Sequence, residues 1–131
     1  MTDVSPPKLL LIDDEPALAD YLADAARISG YVPVIAHDDI QFQSLLRSER
    51  PSMVAIDLGM PGMDGVELLR FLAQEKFTAP VLIISGFDRR VLDSAVRLGR
   101  ALGLTMIGPL EKPTRLADIE QLLLETKASF V

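Results

Sequence analysis

Four short apolar runs stand out along the chain, at residues 9–12, 32–36, 53–56 and 81–84, with a weaker fifth at 104–107. The first, third and fourth are continuous instead of alternating, which suits strands buried on both faces. Between them, apolar residues recur every three or four positions. Leu18, Leu22 and Ala25 form one such stripe, with Tyr21 and Ile28 beside it; Phe42, Leu45 and Leu46 form a second. Leu68, Leu69 and Leu72 make a third, Val91, Ala95, Leu98 and Leu102 a fourth, and Leu116, Ile119, Leu122 and Leu123 a fifth. Each marks the apolar face of one helix. The punctuation agrees. Asp14 or Glu15 precedes Pro16, a residue at home in a first helical turn. Gly30 and Gly103 stand where left-handed helix ends belong. Pro51 ends the second helix and Pro80 opens the fourth strand. Strand and helix alternate five times, which predicts an α/β fold: a single doubly wound five-stranded parallel sheet, (βα)5, with right-handed crossovers and helices on both faces.

Composition narrows the function. A chain of 131 residues suits one domain, at about 150 residues each. Its net charge of −6 argues against a nucleic-acid role for this domain, because neutralising phosphates needs a cationic face. The absence of cysteine excludes disulfides, zinc-thiolate sites and Cys nucleophiles, and a lone histidine, His37, excludes multi-His metal sites. His37 follows the second strand and reads as a strand-end surface residue. No apolar run approaches the ~18 residues of a membrane span. Residues 1–7 lack a basic stretch followed by an apolar one, so the expected location is cytoplasmic.

Open α/β sheets bind ligands beyond the carboxyl ends of their strands. The first strand ends in Asp13-Asp14-Glu15, the third in Asp57 followed by Leu58-Gly59-Met60-Pro61-Gly62, the fourth in Ser85-Gly86, and the fifth leads into Leu110-Glu111-Lys112-Pro113. If the first and third strands are neighbours, Asp13, Asp14 and Asp57 meet, with Ser85 and Lys112 on the flank. Three such carboxylates repel one another, and at least one should hold its proton more tightly. A divalent cation removes that conflict, and Mg²⁺ prefers hard oxygen ligands while leaving room for a phosphate. An ammonium, a hydroxyl and a cation around one carboxylate suit a transferring phosphoryl group, with Asp57 as the nucleophile. Singly, each residue has an ordinary reading as a helix cap or a turn; the set, in order at successive strand ends, does not.

Asp13-Asp14, Asp57 with Met60-Pro61-Gly62-Met63-Asp64-Gly65, Ser85 and Lys112-Pro113 together resemble the receiver domain of two-component response regulators. The likeness covers about residues 8–126, so 1–131 is expected to be a single receiver domain. It implies strand order 2-1-3-4-5. It also implies that Asp57 accepts phosphoryl from a phosphohistidine, supplied by a histidine kinase or a histidine phosphotransfer protein. Asp14 corresponds to a direct Mg²⁺ ligand and Asp13 to one acting through water. Asp57 and the Gly59 backbone carbonyl complete the metal site. Ser85 and Lys112 correspond to the residues that engage the phosphate, and Lys112-Pro113 to a peptide that is typically cis. Output is expected through the fourth and fifth helices to a downstream effector, with no membrane partner; a homodimer is compatible with this.

The chain departs from the family pattern at Pro109, where a switching aromatic usually stands. Proline offers neither ring nor N–H. Ser85 and Lys112 are separated by about 27 residues against about 22 in the resemblance, an excess of one helical turn plus a residue. That excess falls in a lengthened fourth helix carrying Arg90, Arg97 and Arg100, with Arg89 at its start. Residues 103–113 resemble receivers attached to cyclic-di-GMP phosphodiesterase domains, although no such domain is present here. Gly59 and Phe87 lack polar side chains, so neither is expected to assist hydrolysis of phospho-Asp57. The leading expectation is a phosphoacceptor switch, not an enzyme. Two alternatives are a phosphorylation-independent binding module and, less favoured, a Mg²⁺-dependent phosphotransferase.

Overall fold

The computed structural model describes residues 6–13, 15–58, 65–86, 89–112 and 114–130. Five strands, β1 (Lys8–Ile12), β2 (Val32–Ala36), β3 (Met53–Asp57), β4 (Pro80–Ser85) and β5 (Thr105–Glu111), alternate with five helices. These are α1 (Pro16–Ile28), α2 (Asp39–Glu49), α3 (Gly65–Gln74), α4 (Arg89–Ala101) and α5 (Leu116–Ala128). The strands form one parallel sheet in the order β2-β1-β3-β4-β5, the expected fold class and order. Among the described residues, no helix is long and apolar enough to cross a membrane.

The continuous apolar runs explain themselves in the packing. Side chains alternate across a strand, so each run feeds two cores. Leu10, Ile12, Val54, Ile56, Val81 and Ile83 join Phe42, Leu68, Leu72 and Leu92 on one face. Leu9, Leu11, Met53, Ala55, Leu82 and Ile84 join Ala19, Leu22, Ile119 and Leu123 on the other. Edge strand β2 is only partly covered and tolerates Pro33.

One stripe turns out rotated from its expected position. In α4 the buried row is Leu92, Ala95, Val96 and Gly99, whereas Val91 is 47% exposed. Gly99 faces β5: a Cβ there would stand 2.3 Å from the Met106 Sδ, so a side chain at this position would have to displace the Met106 side chain. In α1 the expected stripe faces the core, with Leu22 and Ala25 buried and Leu18 packed against them; alanines complete that face, and Ile28 points to solvent.

Helix ends follow the expected chemistry. After α1, Gly30 adopts φ +89°, its N–H donating to Arg27 O and the Tyr31 N–H to Ala26 O. Gly103 ends α4 in the same way, through Arg100 O and Gly99 O. This is the paired closure of a Schellman motif. Lys76 closes α3 similarly at φ +56°, and Arg50 follows α2 at φ +47°. Both are left-handed positions held by residues other than glycine.

The fifth strand is longer than its apolar run suggested. It continues through Gly108, Pro109 and Leu110 to Glu111. Leu82 pairs with Ile107 and Ile84 with Leu110, so β5 holds one extra residue, a bulge around Gly108 and the cis-peptide-linked Pro109. Beyond it Ser85 pairs with Glu111, and the Lys112 N–H donates to Ser85 O at 2.9 Å.

Candidate functional site

The polar residues gather where β1, β3, β4 and β5 end. A carboxylate directly after a buried strand is held by the backbone, not by its own rotamer. Asp13 follows β1 and is 1% exposed; Asp57 is the last residue of β3 and is 5% exposed. Burying a charge needs a partner and hydrogen bonds. Asp13 Oδ1 accepts the Glu15 N–H at 3.0 Å, which folds the chain into α1. Lys112 Nζ donates to Asp57 Oδ2 at 2.9 Å and to Asp13 Oδ2 at 3.2 Å, and lies 3.8 Å from Glu15 Oε1. The lysine therefore sits between the two aspartates, not on their flank as expected.

The electrostatics bear out the anticipated repulsion. Burial pushes the Asp13 carboxyl above its usual range and the Asp57 charge pushes the same way, against the Glu15 N–H and Lys112. Burial would lower Lys112, but its hydrogen bonds to Asp57 and Asp13, and their charges, outweigh this and hold the ammonium above its usual value. One carboxylate oxygen each from Asp13, Glu15 and Asp57 lies within 4.8 Å of the others. Three carboxylates against one ammonium, all hard oxygen donors, form a set that a small divalent cation fits.

Ser85 is fully buried at the end of β4, one position beyond the Asp57–Ile84 pairing. Asp14, Gly59, Phe87 and the Lys112-Pro113 peptide lie outside the described residues, so the roles expected of them rest on sequence alone. Glu15 joins the cluster without having been singled out as a site residue; the run of three acids after β1 was the available signal. His37 is exposed beyond β2, its N–H bound to Gln41 Oε1, as expected of a surface residue. Arg89, Arg90, Arg97 and Arg100 are exposed on α4. Beside the cluster, between α1 and α5, runs a groove of ≈ 610 Å³ whose walls include Leu18, Tyr21, Leu22 and Ile119.

Comparison with known proteins is consistent in kind. Residues 9–124 match the family described as response regulator receiver domain. The chain is 32% identical over 126 residues to "Probable transcriptional regulatory protein TcrX" of Mycobacterium tuberculosis, covering 96% of this chain and 50% of that protein. It is 30% identical over 81 residues to response regulator MprA of Mycobacterium ulcerans, covering 62% of this chain and 35% of the relative. Thus the chain spans half or less of these curated relatives. A response regulator from Colwellia psychrerythraea superposes with a TM-score of 0.81 at 29% identity, covering 95% of this chain and 98% of that one. The Francisella response regulator 1452 receiver domain gives 0.79 at 23% identity, covering 93% and 97%.

Proposed function

The chain belongs to the response regulator receiver domain family, and on that premise we propose that it is a phosphorelay switch whose phosphoacceptor is Asp57. Receiver domains act in phosphorelay signalling and are generally phosphoacceptors, not enzymes. The observation that carries the assignment of Asp57 is its hydrogen bond from Lys112 beside a second buried aspartate.

In this reading one Asp57 carboxylate oxygen attacks the phosphorus of a phosphohistidine. A P–O bond forms, the P–N bond breaks, and the imidazole leaves with the electron pair. Lys112 fixes the carboxylate before attack and then neutralises a phosphoryl oxygen, since its Nζ already lies against Oδ2. Ser85 offers a hydroxyl on the β4 side. Asp13, Glu15 and Asp57, with Asp14 and the Gly59 carbonyl as the sequence suggests, would hold Mg²⁺. When bound, the ion supplies charge compensation for carboxylate and phosphoryl oxygens. The apolar groove of Leu18, Tyr21 and Ile119 adjoins the cluster and suits a docking helix of the donor, a histidine kinase or histidine phosphotransfer protein. The effector side is proposed to be α4 and α5.

Incubation with acetyl phosphate and Mg²⁺, followed by intact mass measurement, should add roughly 80 Da, the mass of one phosphoryl group. Asp57→Asn should abolish the gain. No gain in the folded wild-type chain would overturn the reading. Pro109, partly buried within β5, favours a second reading in which the module binds its partner without phosphorylation. In that case Asp57→Asn leaves partner affinity unchanged.

A further inference from the structure

We propose that the groove between the C-terminal ends of α2 and α3 docks a short acidic protein segment carrying one apolar side chain. The groove encloses ≈ 500 Å³ at the opposite end of the sheet from Asp57, where β3 and β4 begin. Partly buried Phe77 supplies its apolar wall, with the edge of Leu46, 6% exposed, behind it. Its charged lining is Arg47, Arg50 and Lys76 against the single acid Glu75. On a chain of net charge −6 this is a local reversal of sign.

The cations are not equivalent. Arg47 is held: its Nε donates to Glu75 Oε1 at 2.9 Å and its guanidinium lies 5.2 Å from the centre of the Phe71 ring. Arg50 and Lys76 are exposed, and neither side chain forms an ion pair or hydrogen bond with another described residue. Both hold left-handed backbone, φ +47° and +56°, where glycine would be least strained. Attraction to the helix-end carbonyls accounts for a cation near each terminus. It does not account for placing that cation at the strained position itself. Arg50 also borders a second groove, of ≈ 390 Å³, where Lys8 is paired with Glu49 at 3.4 Å and Lys127 adds a further cation. A long polyanion laid here would run on to the acidic remainder of the chain, so a short segment fits better than nucleic acid.

The probe is a fluorescein-labelled Glu-Glu-Asp-Leu-Glu-Glu peptide, with a Gln/Asn counterpart as control, followed by anisotropy at low salt. The acidic peptide should bind and the neutral one should not. Arg50→Gly combined with Lys76→Gly should weaken binding by roughly tenfold, the effect of two exposed charge pairs. The same variant should melt at or above the wild-type temperature, because it relieves two left-handed positions. Equal binding by the variant or by the neutral peptide overturns the proposal, as does tighter binding of an oligothymidylate of equal charge. Amide NMR of the wild-type chain gives an independent readout. Peptide-induced shifts at Arg50, Lys76 and Phe77 are expected, and shifts confined to the Asp57 end overturn the proposal.

Discussion

The Lys112 ammonium lies 2.9 Å from Asp57 Oδ2 although the two residues come from strands that are not neighbours, β5 and β3, with β4 between them. The contact spans a whole strand because Lys112 lies just past the end of β5, where its backbone N–H donates to Ser85 O. Removing one member of such a pair strands the other in a poorly hydrated site. Lys112→Ala should therefore cost about 3 kcal/mol at neutral pH in metal-free buffer. Added Mg²⁺ should recover part of the loss by binding the folded carboxylates. Urea unfolding followed by circular dichroism, with and without Mg²⁺, checks both statements.

Asp57→Asn acts in the other direction. It keeps the shape of the side chain and removes one of three mutually repelling carboxylates. Its unfolding midpoint in metal-free buffer should equal or exceed that of the wild type, and its thermal response to Mg²⁺ should shrink. The chain has no tryptophan, so calorimetry is the suitable measurement. A lower midpoint would show that the Lys112 contact outweighs the repulsion.

Tyr31 gives the chain an alkaline limit. Its hydroxyl is buried and donates to Leu123 O at 2.7 Å, and burial pushes its pKa up to about 12. Unfolded tyrosine ionises near pH ~10, so between roughly pH 10 and 12 the unfolded chain has lost a proton that the folded chain keeps. Stability from this group is complete below that window and falls as pH rises through it. Tyr31→Phe should cost about 1 kcal/mol at neutral pH. It should also flatten the alkaline decline, read from urea midpoints at about pH 8 and about pH 11.

Any side chain at Gly99 would have to displace that of Met106. Gly99→Ala gains about 1 kcal/mol of helix propensity, but its methyl would fall within 3 Å of the Met106 Sδ, Cε and Cγ. Overpacking of this kind costs about 1–3 kcal/mol, so net destabilisation is expected. Combining it with Met106→Ala should cost less than the two single changes added together. A double-mutant cycle in urea measures the difference.

Glu111 connects the site to α4. It pairs in register with Ser85, precedes Lys112, and lies 3.8 Å from Arg89 Nη1. If Asp57 phosphorylation drives output through α4, beryllofluoride with Mg²⁺ should shift the amides of Ser85, Glu111 and Arg89. Glu111→Gln should reduce the Arg89 shift. Shifts restricted to Lys112 and its immediate neighbours favour the phosphorylation-independent reading.

Much of this arrangement was legible in the residues. The runs in β1, β3 and β4 read clearly because burial on both faces leaves no polar position to interrupt them. Asp13, Asp57, Ser85 and Lys112 read clearly because each directly follows or ends a strand. What was hidden has physical causes. Strand β5 is broken in sequence by Gly108, Pro109 and Glu111, residues of low strand propensity that an edge position with a bulge accepts. The buried face of α4 includes Gly99, which carries no apolar signal of its own. Glu15 reads as a helix-start residue, which it is, while its carboxylate also reaches the cluster.

The extra residue in β5 sets how far Lys112 stands beyond the sheet. Counted in regular register from the Leu82–Ile107 pair, Leu110 would stand opposite Ser85 and Lys112 one residue further past the end of β4. Absorbed in the bulge, the extra residue draws Lys112 back by one strand step, roughly 3.3 Å, toward the 2.9 Å contact it makes with Asp57. A single unit of chain length thus decides whether the ammonium reaches the buried acids or stands off from them.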